Sequence, residues 1–219
     1  MKTVVLVSGK LQSGKNTFAD ICIDILKNKY SVSYDYFARL LKERCKEDFK
    51  PLVDYVNSLN LEELHTIDDN WFENKNKLTR ILLQIYGTEV FRNRVDQNYW
   101  ANELVKNIKN SKSDIIFVTD VRFPSEITAL ENEIMNVVKV RINRTLDRTD
   151  VVNEHESEKA LDDYSNWNYV YQNDGTLEQY QTFCEQVCEH LVALQNETSE
   201  NKKFQNETRL YEQIDMFQE

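Results

Sequence analysis

Two glycines five positions apart, with a lysine after the second, sit directly behind an apolar run: Val4-Val5-Leu6-Val7-Ser8 leads into Gly9-Lys10-Leu11-Gln12-Ser13-Gly14-Lys15-Asn16-Thr17. Glycine lets the backbone curl tightly enough to aim several N–H groups at one point, and the Lys15 ammonium adds a fixed charge beside them. Such a loop cradles an anion of phosphate size. Behind it Phe18, Ala19, Ile21, Cys22, Ile25 and Leu26 recur near helical spacing, whereas the run before it is β-branched. Strand, loop and helix in that order point to an α/β fold with the loop at the carboxyl end of a strand. The chain has four glycines in all and two stand here, so a turn that binds nothing is the weaker reading. Nucleoside triphosphate phosphates are the expected ligand.

Asn16 stands where Ser or Thr would usually offer a hydroxyl to Mg²⁺, and Thr17 follows at once. A Lys-x-Thr ending is common among small-metabolite and nucleotide kinases, so the departure points within the P-loop class. Thr17 is then the expected hydroxyl for the metal.

At 219 residues the chain suits one α/β domain with a lid and a tail. Its net charge of −10 and pI near 4.9 repel nucleic acid as a whole, so direct nucleic-acid binding is not expected and anionic substrates fall to local arginines and lysines. Cys22, Cys45, Cys184 and Cys188 have neither C-x-x-C spacing nor a matching His pair. They read as reduced packing thiols, and no apolar run is long enough for a membrane span. The expected location is the cytoplasm, of an infected host cell if the source is a virus.

Ser31–Tyr36 reads as a second strand, with a helix opening at Phe37. Polar, acidic and aromatic residues alternate over 51–77, which suggests short helices built into an insertion at about 45–77. Leu78, Ile81, Leu82, Ile85 and Tyr86 have helical spacing ended by Gly87, and another helix is expected from about Tyr99 to Ile108. Val137–Asn143 and Asn168–Gln172 read as strands, the latter ending in Asn173-Asp174-Gly175. A helix over Leu177–Leu194 closes the domain.

The second informative segment is Asp114-Ile115-Ile116-Phe117-Val118-Thr119-Asp120-Val121-Arg122-Phe123-Pro124-Ser125-Glu126. Four consecutive apolar residues ending in Thr-Asp read as a buried parallel strand that delivers a carboxylate and a guanidinium to the crevice where open α/β sheets bind ligands. Asp120 is the Walker-B candidate for Mg²⁺, directly or through water, and Arg122 reaches a transferring phosphate. The competing reading of Asp120 is a cap for the helix that follows it. Arg141, Arg144 and Arg148, in a polar stretch after the strand, read as the arginines of a lid at about 143–160 that neutralises phosphate charge and excludes water, against the plainer reading of a solvated charged loop, with His155 in an orienting or structural role.

Four matches stand in order along the chain: the loop Gly9–Thr17; Leu82-Leu83-Gln84-Ile85-Tyr86-Gly87-Thr88-Glu89 followed by Arg92, Asp96 and Tyr99-Trp100; Thr119-Asp120-Val121-Arg122-Phe123-Pro124-Ser125-Glu126; and His155-Glu156-Ser157-Glu158. Together they resemble the deoxynucleoside monophosphate kinases of bacteriophages over about residues 1–194. The resemblance implies a three-layer α/β P-loop kinase fold with a parallel central sheet, a helical insertion for the acceptor and a lid. It implies transfer of the ATP γ-phosphoryl to a dNMP with Mg²⁺. Lys15, Asp120 and Arg122 would then be catalytic, and Gly9, Lys10, Gln12, Ser13, Gly14, Lys15, Asn16, Thr17 and Arg144 would bind ATP. Phe37, Lys42, Gly87, Thr88, Arg92, Trp100 and Arg148 would line the acceptor site, and Thr17 and Asp120 the metal. The alternatives are another small-molecule P-loop kinase, such as one resembling dephospho-coenzyme A kinase, or a non-catalytic nucleotide-binding accessory protein of replication.

From Asn196 the composition turns to Asn, Glu, Thr, Ser, Lys and Gln, read as a flexible tail over 195–219. At its end Gln213-Ile214-Asp215-Met216-Phe217 resembles the short peptides that dock bacterial proteins on the sliding clamp, against the plainer reading of a helix end packed on the domain. The expected partners are thus a small nucleotide acceptor, with clamp docking and a homodimer as further candidates, and neither nucleic acid nor membrane.

Overall fold

A computed structural model of the chain describes residues 2–59, 73, 77–145 and 156–216. Five parallel strands, β1 (Thr3–Ser8), β2 (Val32–Asp35), β3 (Ile115–Val118), β4 (Asn136–Asn143) and β5 (Tyr169–Gln172), form one sheet in the order β2-β3-β1-β4-β5. The glycine-rich loop therefore leaves the central strand. Its neighbours on either side deliver the segments after β3 and β4 to the same crevice, at the point where strand order reverses.

Alternation along β1 explains the three layers. Val5 and Val7 face one way, against Phe18, Ala19 and Cys22 of α1 (Lys15–Leu26) and Phe183, Val187 and Leu191 of α6 (Leu177–Met216). Val4 and Leu6 face the other way, toward Phe37 and Leu40 of α2 (Phe37–Ser58), Leu104 and Ile108 of α4 (Tyr99–Asn110) and Ile127 and Leu130 of α5 (Pro124–Glu133). A strand covered on both faces must be apolar at every position, which is why β1 and β3 read as unbroken runs. Each fully buried Phe, Leu or Ile contributes about 1.5–3 kcal/mol by leaving water. Cys22, Cys184 and Cys188 are buried free thiols between α1 and α6, as packing residues should be.

Three elements differ from expectation. α2 is one helix that runs through Pro51 to Ser58, where short helices were expected from 51 on. It has no glycine, and i,i+4 ion pairs Arg39–Glu43, Arg44–Asp48 and Lys50–Asp54 line it, the last spanning the proline. On this solvent-exposed face each adds only modestly to the helix. Residues 60–72, the middle of the expected insertion, lie outside the described residues.

The helix expected to stop at Gly87 does not stop there. α3 (Lys77–Gln84) continues as a π-helix over Ile85–Arg92. Gly87 is no terminator: a Cβ on it would come within 3.0 Å of Leu41 Cδ2, so its missing side chain lets α2 approach. Its carbonyl accepts the Trp100 indole N–H at 2.9 Å, a bond that uses a carbonyl the wider winding presents sideways.

Lastly, α6 continues to Met216 where a flexible linker was expected from 195. No Gly or Pro follows Gly175, and Glu, Gln and Lys are good helix formers, so nothing in the sequence ends the helix. Of the docking candidate 213–217, the backbone to Met216 is helical and Phe217 lies outside the described residues. Among the described residues no helix is long and apolar enough to cross a membrane.

Candidate active site

The loop between β1 and α1 is built for an anion. Gly14 occupies the left-handed region at φ 103° and caps α1 without a side-chain bond, which leaves the first amides of the helix for a ligand. Gln12 is also left-handed, at φ 64°. Gly9 serves close approach, because a Cβ there would stand 2.2 Å from the Ile142 carbonyl oxygen of β4. Asn173 after β5 donates to the Ser13 carbonyl at 2.9 Å, and the Tyr180 hydroxyl of α6 donates to the Gly14 carbonyl at 2.9 Å. The loop is thus braced from the β5 edge and from α6 by two residues that its own sequence does not announce. The Lys15 ammonium donates to the Gly9 and Lys10 carbonyls at 2.7 and 2.8 Å, bent back over the loop. Ser13 Oγ is buried with no hydrogen-bond partner among the described atoms. An orphaned hydroxyl inside a ring of amides fits a phosphate oxygen.

Three cavities meet in front of this loop. The first, 790 Å³, is walled by the loop from Leu11 to Thr17, by Asp20, Tyr34 and Tyr36, and by Arg144. Tyr34 turns its hydroxyl to the Asp20 carboxylate and, at 3.4 Å, to the Asn16 carbonyl. Burial and then the Asp20 carboxylate raise the Tyr34 pKa, so this hydroxyl stays protonated. Next comes a cavity of 80 Å³ over Gly9, Lys10 and Lys15, and beyond it a third, of 210 Å³, between α2, the π-helix and the start of α5. Asp120 and Arg122 line all three.

Asp120 is a cap, but of another helix than expected. Its two carboxylate oxygens accept the amides of Phe37 and Ala38 at 2.9 and 2.8 Å, tying the end of β3 to the start of α2 rather than to the helix that follows Asp120. Burial raises its pKa, opposed by those two amides and by Arg122. Each oxygen has a second lone pair, so capping leaves room for a further donor or a hydrated cation. Arg122 donates to Ser157 Oγ at 3.1 Å.

In this third cavity the Arg92 guanidinium lies 3.7 Å over the Phe123 ring and donates to Ser125 Oγ at 3.0 Å and the Gln97 carbonyl at 3.3 Å. A planar cation stacked and bonded in this way is pre-oriented for a phosphate or carboxylate. Phe37, Gly87, Thr88 and Trp100 line the cavity as expected. Lys42 does not. Its ammonium is paired with Glu73 at 2.5 Å, because position 42 turns away from the cavity toward the insertion. Arg148 and His155 lie outside the described residues, as does most of the expected lid. Leu41 lines the cavity without having been singled out, and Leu83 and Glu126, which stand in the matched segments, line it without having been given a role.

Glu126 has a measurable consequence. It is buried, and one of its oxygens accepts the amides of Arg122 at 2.8 Å and Phe123 at 3.1 Å. Desolvation nevertheless raises its pKa from 4.5 to about 7. A raised carboxyl pKa means that the folded chain holds a proton the unfolded chain has released. The stabilisation is therefore full below about pH 4.5 and lost as pH rises through about 7. At about 1.36 kcal/mol per pKa unit the effect is on the order of 3 kcal/mol. Urea unfolding at pH 5 and pH 8 should show wild type losing that much relative to Glu126→Gln, whose amide oxygen can still accept both bonds; parallel pH profiles would show that Glu126 is ionised throughout.

The sequence pattern of the deoxynucleotide monophosphate kinases matches residues 50–183. The chain belongs to this family. The parallel sheet with its glycine-rich loop is the three-layer P-loop kinase fold. The chain is also 34% identical over 87 residues to an uncharacterized protein, ORF77, of Ictalurid herpesvirus 1; the match covers 38% of this chain and 37% of that protein. It thus spans little more than a third of that relative. Among solved structures it is similar to the dephospho-CoA kinase of Campylobacter jejuni, at 12% identity and TM-score 0.49 over 87% of this chain and 97% of that one. It is similar too to a shikimate kinase of Bacteroides thetaiotaomicron, at 12% identity and TM-score 0.41 over 88% and 97%.

Proposed function

We propose that this family member transfers the γ-phosphoryl group of ATP to a deoxynucleoside monophosphate, giving ADP and the deoxynucleoside diphosphate. The observation that carries the reading is the meeting of a phosphate loop and an acceptor cavity at two shared side chains, Asp120 and Arg122, which line both. A kinase needs its two substrates in line across such a point, in a space small enough to keep water out.

In this reading the loop amides and Lys15 bind the β- and γ-phosphates, Arg144 closes on the donor side, and Arg92 takes the acceptor phosphate. Phe37, Leu41 and Trp100 give the base an apolar slot, with Gly87 and Thr88 beside it. An oxygen of the acceptor phosphate forms the new bond to the γ-phosphorus as the bond to the β,γ-bridging oxygen breaks, and that electron pair leaves on ADP. No redox change occurs. Charge neutralisation by Lys15 and Arg122 is the chemistry the chain itself supplies.

Mg²⁺ fits this site as a phosphate-borne cation: the described residues contain no group of three or more His, Cys, Asp or Glu side chains able to cage a metal, so Thr17 and Asp120 would hold it beside phosphates and water, where it screens phosphate charge. Arg148 and the rest of 143–160 complete the proposal as a lid over residues 1–194.

A coupled assay of ADP formation across the four dNMPs tests the reading. Turnover with at least one dNMP, saturable and strictly dependent on the acceptor, is the expected result. Absence of turnover with all four, or turnover with dephospho-coenzyme A alone, would overturn it.

A further inference from the structure

Arg141 is an arginine inside a sheet. It sits on β4 directly across from Ser8, the last residue of β1, and its side chain is 11% exposed. A charge that deep is costly unless each donor finds a partner. Here Nε donates to Asn143 Oδ1 at 3.2 Å, Nη1 to Ser8 Oγ at 3.0 Å and Nη2 to Asp162 Oδ1 at 3.0 Å. The ring of Trp167 lies 5.9 Å from the guanidinium carbon. The other oxygen of Asp162 reaches the Lys10 ammonium at 3.1 Å. One carboxylate thus fixes two cations, one from the sheet and one from the phosphate loop.

Both cations face the 80 Å³ cavity between the donor and acceptor cavities. Lys10, Lys15, Arg122 and Arg141 line it, against the single lining carboxylate of Asp120 among the described residues. Four positive groups around a space of this size, opened on either side by the cavities for the two substrates, mark the place where negative charge is greatest during the reaction. Side chains whose sole task was to close the sheet end would not need a guanidinium held in one plane by three separate acceptors. An arginine so held presents a fixed N–H edge, which suits phosphoryl oxygens.

We infer that Arg141 is a further catalytic residue, donating from the sheet to the γ-phosphoryl group in transit, and that Asp162 is its positioning residue, holding it and Lys10 in register with the loop. The inference rests on the phosphoryl-transfer reading above. As the bond to the acceptor oxygen forms and the bond to the β,γ-bridging oxygen breaks, Arg141 neutralises the equatorial oxygens and neither gains nor loses a proton. It acts from a rigid strand, so it is in place before any lid closes.

The test uses the full chain with Arg141→Lys and Asp162→Asn. Arg141→Lys keeps the charge and removes the planar fork; kcat should fall by about 10²-fold or more while the KM for the dNMP changes less than about threefold. By calorimetry without acceptor, the same variant should bind ATP about tenfold more weakly and ADP as wild type does, because only ATP carries the group that Arg141 touches. Asp162→Asn, isosteric and partly exposed, should lower kcat about tenfold with thermal stability and acceptor KM unchanged. The inference is overturned if Arg141→Lys keeps kcat within twofold, or if it weakens ATP and ADP equally. Should the lysine variant fail to fold, unchanged kcat in Asp162→Asn overturns it alone. The two readings fail separately: a wild type that phosphorylates no dNMP removes the acceptor assignment, while the ATP-against-ADP comparison still reports on Arg141.

Discussion

Lys15→Met should lower kcat for phosphoryl transfer by about 10³-fold or more while leaving the fold in place. Three orders of magnitude correspond to about 4 kcal/mol of transition-state stabilisation, within the range for one pre-organised donor in a water-excluded site. Lys15 is suited to supply it because its ammonium is already held over the loop by the Gly9 and Lys10 carbonyls, so little reorganisation is needed when phosphates arrive. Loss of those two bonds should cost little stability, since an ammonium at the loop surface exchanges protein acceptors for water. The measurement is kcat by the coupled ADP assay together with the thermal midpoint. A variant within tenfold of wild type would show that this loop does not serve the transfer step.

Gly9→Ala should be the most damaging single-methyl change in the chain. The added Cβ would stand 2.2 Å from the Ile142 carbonyl oxygen and 2.6 Å from Ser13 Oγ. A carbonyl of a central strand cannot rotate away, so β4 must shift from β1 or the loop must open. Overpacking of this kind costs about 3 kcal/mol or more. At about 2–4 °C per kcal/mol for a chain of this size, the thermal midpoint should fall by about 6–12 °C, with activity lost as well. Gly175→Ala is the control. Its Cβ would meet only the end of the flexible Gln179 side chain, and its midpoint should stay within about 2 °C of wild type. Equal behaviour of the two variants would refute the close approach at Gly9.

Gly9, Gly14 and Lys15 are legible in the sequence because an anion-binding loop needs them close together along the chain. Their context, the β-branched run before and the helical spacing after, is equally local. The same holds for Thr119-Asp120-Val121-Arg122 at the end of a buried strand. Residues whose partners are remote were misread or missed. Asp120 reads in the sequence as a metal carboxylate, with capping of its own downstream helix as the competing reading; the amides it accepts are those of residues 37 and 38, more than 80 positions earlier. Lys42 looked like an acceptor contact, yet it pairs with Glu73 of the insertion. Gly87 looked like a helix terminator and instead makes room for Leu41 within a π-helix.

The sequence by itself determined the α/β class, the glycine-rich loop on the first strand, the carboxylate and guanidinium after the third, and the net negative charge of the chain. These follow from short-range rules: period-two and period-3.6 burial, glycine freedom and the spacing of charges within a few residues. Tertiary structure alone decided which strands adjoin β1, which helix Asp120 caps, and that Arg141 and Lys10 share Asp162 beside the loop. Those outcomes depend on contacts between residues more than 80 positions apart along the chain, in the case of Asp120, and more than 150, in that of Lys10 and Asp162. They are set by how a parallel sheet orders its strands and buries both faces, which no local pattern of residues encodes.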